Sequence, residues 1–569
     1  LVIFFSILSK LPLMDYFDSP FNISLLKNHI LKDPISDWFN IQESINNKKY
    51  KRDKDTFYKD FILNEWNDYR INFFENLKKK ANKDVPLTTS PEQTRQMIKE
   101  KEPLILGGHL IYESMIVSCD IIIDIHLFTT IFPKIENVPL ENKYICINLS
   151  YSTLNLKSDL KECLNEGVIP YKKCKLYAFS KGFESLEGYK PHSFIIGKEY
   201  YYKKTKLPKK EFISFVKDDQ TIIDKFMNAY KWIRLLQTDF KNLKIEDTLQ
   251  PSHEELYPNM NHKDSGWENE KLNIAKKIKE ITLVWNITYD ERCNLHRKNI
   301  YCWDDPKLLT ELKESKKKNI QEQMIHMNKN DEILIYPRKN ISTPLREVLK
   351  EKETNNIFFD VESFLTIDEK VEFFNQKEEP KEEQKPILAV IGFFYMEKFQ
   401  DFTIQKYDMN HEKIIVQEFA NKLWDIYNST SHLLQTINGG RINIFHWGHA
   451  ECKYMEYIHR IYPKIEFPDY ILVDLLEHFR LEPIIVQGVF QFGLKSIGKA
   501  LYNNGLIKTT WRNDNDNGLD AMIKFKEICK RNKKIPLKRY LEIKEIVYYN
   551  QVDCEVLQEI YFLLKRNYD

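Results

Sequence analysis

The stretch that most restricts what this chain can fold into is Ile357-Phe358-Phe359-Asp360-Val361-Glu362-Ser363. It is too apolar for a solvated edge and reads as a buried strand. Side chains alternate along a strand, so Asp360 and Glu362 share one face while Phe359 and Val361 go to the other. Two carboxylates side by side on a buried strand repel each other and lose hydration, a cost that a divalent cation offsets by taking hard oxygen ligands from both. The plainer alternative is a half-solvated acidic pair at a strand end.

A second acidic position stands near the end of the chain. In IKEIVYYNQVDCEVLQEIYFLL, Ile543, Ile546, Val547, Val556, Leu557, Ile560, Leu563 and Leu564 recur at helical spacing. Tyr549 and Asp553, at i and i+4, share one face beside that stripe, where a half-buried carboxylate requires a partner. Between these two motifs the pattern predicts strands over 357–362, 387–395 and 402–407, a helix over 413–427, a strand over 443–447, a helix over 452–462 and a strand over 471–475. Gly439-Gly440 and Pro468 punctuate the joins. The charged, proline-flanked run QKEEPKEEQKP at 376–386 is expected to be a mobile hairpin insertion.

Three strands in a meander followed by strand-helix repeats is the order of the ribonuclease H-like fold, and the motifs resemble a family with that fold. DEDD exonucleases carry Asp-x-Glu on the first strand, an acidic residue after the fourth and Tyr-x-x-x-Asp on the last helix. Here the last motif is Tyr549-Asn550-Gln551-Val552-Asp553, and Tyr548 occupies the place of the histidine variant. His446-Trp447-Gly448-His449-Ala450-Glu451 is similar to the second motif of YprB-type ribonuclease H-like domains, with Glu451 at the acidic position. Val473-Asp474-Leu475, Gly493-Leu494-Lys495-Ser496-Ile497 and Tyr549-Asn550 follow the same family pattern.

The resemblance implies that the first strand and last helix meet at the centre of the sheet. It further implies that Asp360, Glu362, Glu451 and Asp553 hold two Mg²⁺ or Mn²⁺ ions, about 3.5–4 Å apart in sites of this kind. Tyr549 would orient the attacking water, since a tyrosine of ordinary pKa near ~10 is a poor base at neutral pH. His446, Trp447, His449 and Lys495 would contact nucleic acid. Each has a plainer reading: the two histidines as structural residues at a strand end, Asp474 as a helix cap, Lys495 as a solvated lysine.

The first half resembles a RecB-like PD-(D/E)XK nuclease domain: β-rich runs around Gly107-Gly108 and over 115–122, a strand over 144–149, a helix over 172–186 and a strand over 193–197. That family needs an Asp, then an acidic-x-Lys. Asp120 stands at the first position, but the second reads Asn148-Leu149-Ser150, and Lys175 replaces the glutamine of the following helix. An amide and a hydroxyl bring no charge to a hard cation, so this degenerate site is expected to be catalytically silent. Residues 254–260, a helix over 267–285 and the segments 286–292 and 298–305 look like a helix-hairpin-helix-like linker without its hairpin glycine, expected to act as a packed spacer.

The reading is therefore α/β throughout: an N-terminal helical extension over 1–88, a degenerate restriction-endonuclease-like domain over 89–245, a helical linker over 246–340 and a ribonuclease H-like domain over 350–569. The resemblance covers residues 91–567, in the order of two-domain nucleases of bacteria, archaea and large DNA viruses. It implies a metal-dependent 3′–5′ exonuclease acting on DNA or RNA. The competing reading is a catalytically inactive nucleic-acid-binding or assembly protein that retains nuclease folds.

The 569 residues allow several cores, and a net charge of +2 leaves any nucleic-acid surface to local clusters such as the lysines at 203–210 and 316–318. Nine cysteines without CxxC or zinc-ligand spacing indicate a reducing compartment, hence a cytoplasmic rather than secreted protein, in the host cytoplasm if viral. The apolar opening LVIFFSILSKLPL is shorter than the ~20 residues of a membrane span. No membrane partner is expected, and Met14 is read as the natural start.

Overall fold

In the computed structural model the described residues are 14–17, 20–45, 49–54, 57–133, 135, 143–203, 205–208, 213–245, 250–262, 265–329, 334–337, 341–350, 355–364, 387–434, 441–512, 518–531 and 535–568. The charged run at 376–386, the opening thirteen residues and Gly439-Gly440 lie outside them. The chain is mixed α/β and divides into two units, one reaching Glu280 and the other beginning at Ile281. The linker span of the sequence reading is thus shared between them. Its helix stops at Lys277, and Lys279 turns the chain with φ 54°.

In the first unit, the sheet strands are β1 (Phe21–Asn22), β2 (Leu104–Tyr112), β3 (Met115–Asp124), β4 (Tyr144–Leu149), β5 (His192–Ile196) and β6 (Ser214–Phe215). They run in the order β1-β3-β4-β5-β6, with β2 also paired to β3. Helix α1 (Phe57–Ala81) covers one face through Tyr69, Phe73, Phe74 and Leu77. Helix α2 (Ile169–Glu187) covers the other through Cys174, Leu176, Phe179 and Phe183. Both faces are dry, which is why every residue of β4 is buried and all but Asn148 and the Tyr144 hydroxyl are apolar.

The second unit begins with residues that pack onto its own core. Trp285 meets Phe492 with ring centroids 5.4 Å apart, Trp303 meets Phe490 at 5.0 Å, and Ile335–Tyr336 pairs antiparallel with Ile485–Val486. In the segment without a hairpin glycine, Asn299 takes up a left-handed turn with φ 59°.

The main sheet of this unit contains β7 (Asn356–Phe364), β8 (Ile387–Tyr395), β9 (Lys398–Thr403), β10 (Ile442–His446) and β11 (Tyr470–Asp474), in the order β9-β8-β7-β10-β11. Strands β7 to β9 form the expected antiparallel meander, and β10 and β11 extend it in parallel. Strand β9 starts four residues before the predicted 402, because a tight turn with positive φ at Met396 and Glu397 closes the hairpin. Helices α3 (Met409–Leu434) and α4 (His449–Ile461) pack on one face of the sheet. The other carries α6 (Leu494–Asn503) and the long last helix α7 (Leu541–Tyr568); α5 (Leu475–Leu481) follows β11. Among the described residues no helix is long and apolar enough to cross a membrane.

Candidate metal centre

Strand β7 is the middle strand of its sheet, and its parallel pairing with β10 stops at Phe358↔Phe445. Beyond that point the two strands part, and the face of β7 that carries Phe358, Asp360 and Glu362 lies beneath α7. Glycine makes this approach possible. Gly392 is the cross-strand partner of Asp360, and a Cβ built there would lie 1.7 Å from Asn550 Oδ1.

The helix brings Asp553 to the two strand carboxylates. Asp360, Glu362 and Asp553 each offer an oxygen within 4.8 Å of the others, and they are the one such acidic group among the described residues. Burial raises Asp360 to about 6, and burial together with the charge of Asp360 raises Glu362 and Asp553 well above the carboxylate range. Three hard oxygen donors held together against their own repulsion are the donor set that suits a divalent cation.

Two partners hold the carboxylates in place: Asn550, which the sequence pattern singled out without a role, and Trp511, which sequence reasoning missed. Asn550 Nδ2 donates to Asp360 Oδ2 at 2.7 Å, and Trp511 Nε1 donates to Asp553 Oδ1 at 2.8 Å. Asn550 is fully buried, as its place one residue from Tyr549 on a packed helix allows, whereas Trp511 lies in irregular backbone that carries no periodicity. The Tyr549 hydroxyl is a further hydrogen-bond partner of Asp553, as the i, i+4 spacing predicts.

No family model, curated protein or solved structure matches the chain.

The remaining predicted residues divide into those near the triad and those built into the scaffold. Glu451 occupies the first turn of α4, buried, with Oε2 3.8 Å from His446 Nδ1 and without a hydrogen bond to another described residue. Burial first, then Asp360, pushes its carboxyl up to about 9. It stands outside the triad itself while remaining in electrostatic reach of all three members.

His446 corrects the expectation of a nucleic-acid contact. Its ring is buried, with Nδ1 at 2.8 Å from the Gly448 carbonyl and Nε2 at 3.5 Å from Cys452 Sγ, so it has no face to offer a base. Trp447 is likewise anchored, donating to the Phe492 carbonyl at 3.0 Å and packing edge-on against Phe479. His449 is exposed at the start of α4. Asp474 acts as a cap: its Oδ1 accepts from Leu476, Glu477 and Gly448 amides, the last at a residue whose φ of 105° requires glycine. Lys495 sits 5.8 Å from the Tyr549 ring and 5.9 Å from the Trp511 ring, and its charge opposes part of the rise of the Asp553 carboxyl.

In the first unit Asp120, Asn148 and Ser150 are all buried and adjacent. The β3–β4 ladder ends at Ile121↔Ile147, and side chains continue it: Asp120 N donates to Asn148 Oδ1 at 3.2 Å, and Leu149 N donates to Asp120 Oδ2 at 2.9 Å. Ser150 shares a hydrogen bond with Ser152 at 2.7 Å. Asp120 belongs to no acidic group of metal-binding geometry among the described residues.

Proposed function

We propose that the second unit is a ribonuclease H-like, divalent-metal-dependent nuclease of the DEDD kind, cutting nucleic acid from a 3′ end, and that the first is a silent restriction-endonuclease-like domain. The observation that carries this reading is the convergence of Asp360 and Glu362 from the central strand with Asp553 from the last helix, oxygens within 4.8 Å. The strand and the helix stand far apart in the chain, so their meeting is a product of the fold and not of local sequence.

Asp360, Glu362 and Asp553 would hold Mg²⁺ or Mn²⁺, which supplies Lewis acidity toward a phosphate oxygen and makes water a competent nucleophile at neutral pH. The protein's own groups do the positioning. Asn550 and Trp511 lock the strand and helix carboxylates in one rotamer each, as outer partners of metal ligands do. Tyr549 already spends its hydroxyl on Asp553, which favours orienting a water over removing its proton. Lys495 places a positive charge within electrostatic reach of Asp553, where it could meet a phosphate. Glu451, raised to about 9, carries a proton at neutral pH in the metal-free protein.

End-labelled single- and double-stranded DNA and RNA, each incubated with Mg²⁺ or Mn²⁺, test the proposal. Stepwise shortening from the 3′ end is expected, absent in Asp553→Asn, while a covalently closed single-stranded circle stays intact. Efficient cutting of the circle overturns the end-dependent assignment, and full activity of Asp553→Asn overturns the site.

A further inference from the structure

The degenerate site of the first unit has acquired cations. Arg70, projecting from α1, places Nε 3.0 Å from Asp120 Oδ1 and lays its guanidinium 5.0 Å from the Phe74 ring centroid. Lys172 of α2 donates to the Leu149 carbonyl at 2.7 Å, with its ammonium 4.5 Å from the Trp66 ring centroid. Lys175 follows at i+3 on the same helix, within electrostatic reach of both Asp120 and Arg70, and makes no hydrogen bond or ion pair with another described residue.

Three half-buried cations thus surround one carboxylate, and both oxygens of that carboxylate are engaged, one by Arg70 and one by the Leu149 amide. With all three protonated, two positive charges have no internal counter-ion. Burial accordingly pushes Lys172 down to about 7 and Lys175 downward, with Arg70 acting in the same direction on each. Such an excess is costly away from bulk water and is relieved by an anion that enters between the cations.

A phosphate oxyanion matches the donors: a guanidinium and two ammonium groups. The surroundings favour one that is part of a polymer. Trp66 and Tyr151 are only half-buried beside the cluster, and Lys198 lies 4.5 Å from the Tyr151 ring centroid and 3.2 Å from its hydroxyl. On the acidic side, Glu65 accepts from the same hydroxyl at 3.0 Å, and Asp68 stands within electrostatic reach of it. Aromatic faces interleaved with cations are how proteins hold single-stranded nucleic acid without reading its sequence.

We propose that the cluster of Arg70, Lys172 and Lys175 is a phosphate-binding site for a polynucleotide backbone, with Asp120 serving as the strut that orients Arg70. The site holds without cutting, and it needs neither a metal nor the activity of the second unit.

The test is binding of a fluorescein-labelled single-stranded oligodeoxythymidylate to the full chain in EDTA, followed by anisotropy across a salt series. Lys175→Gln and Arg70→Gln should each weaken binding about tenfold, the loss expected for a charge-assisted contact. Each should also reduce the slope of log affinity against log salt by ~0.7. Asp120→Asn should bind as tightly as the parent or more so. Unchanged affinity and slope in both cation variants overturns the proposal, as does an Asp120→Asn loss equal to that of Lys175→Gln. Inorganic phosphate at an equal phosphate concentration should fail to displace the oligonucleotide; ready displacement assigns the site to a small anion instead. The unaltered protein gives a second readout: the oligonucleotide should protect Lys172 and Lys175 from acylation, and equal labelling with and without it overturns the assignment. All arms run without divalent metal, so a failure of the nuclease reading leaves their outcome untouched.

Discussion

Replacing Asp360 by asparagine should make the metal-free protein more stable, an unusual outcome for a change at a buried hydrogen-bonded residue. Burial raises the Asp360 carboxyl from 3.8 to about 6. Below the unfolded value both states are protonated and the group has no effect; as pH rises, the unfolded chain ionises first, and stability falls until the folded group also ionises near 6. At neutral pH the full penalty of roughly two units applies, about 3 kcal/mol at 1.36 kcal/mol per unit. Asparagine removes that penalty but weakens the charge-assisted bond from Asn550, a loss of about 1–2 kcal/mol. The net gain is about 1–2 kcal/mol, or roughly 3–6 °C in melting temperature for a domain of this size. The assay is thermal unfolding in EDTA at pH 5 and pH 7.5, repeated with Mn²⁺. The variant's advantage should be small at pH 5, full at pH 7.5 and reversed by Mn²⁺, which stabilises the parent alone. A variant less stable than the parent in EDTA at pH 7.5 would refute the argument that burial of the ionised Asp360 carboxylate destabilises the metal-free protein.

Tyr549→Phe should slow cleavage by ~10²-fold yet keep the parent's rise of rate with pH; a flattened profile in the variant identifies the tyrosine as the general base. Trp511→Phe keeps the ring but removes the hydrogen bond to Asp553, and the Mn²⁺ concentration for half-maximal binding should rise roughly 10- to 100-fold, as for other outer partners of metal ligands. Gly392→Ala forces a methyl group into the space of Asn550 Oδ1 and should destabilise the second unit by about 2 kcal/mol or more in denaturant titration, whereas the same change at Gly505, which has open space around its Cβ position, should cost less despite its positive φ.

What could be read from the sequence depended on whether a residue sat in a periodic element. Asp360 and Glu362 declare their shared face through strand alternation, and Asp553 and Tyr549 through helical spacing; the structure brings all four together. Strand β4 and the parallel pair β10–β11 stand within one residue of their expected bounds because apolar runs bounded by polar turns admit few alternatives. The third strand was displaced because Met396 and Glu397 form a left-handed turn without the glycine or asparagine that usually marks one. Trp511 and Arg70 escaped notice for a related reason. Each acts across a long sequence separation, on Asp553 and Asp120, and nothing in its local pattern points to the partner. His446 shows the reverse error, a polar residue in a suggestive motif that tertiary packing buries.

The central claim is that the strand and helix carboxylates form a metal centre. Titration of Mn²⁺ into the metal-free protein, followed by electron paramagnetic resonance of the free ion, tests it most directly. Saturable binding to the parent and its loss in the Asp360→Asn, Asp553→Asn double variant is the predicted result. Equal binding by both proteins, or none by either, would contradict it.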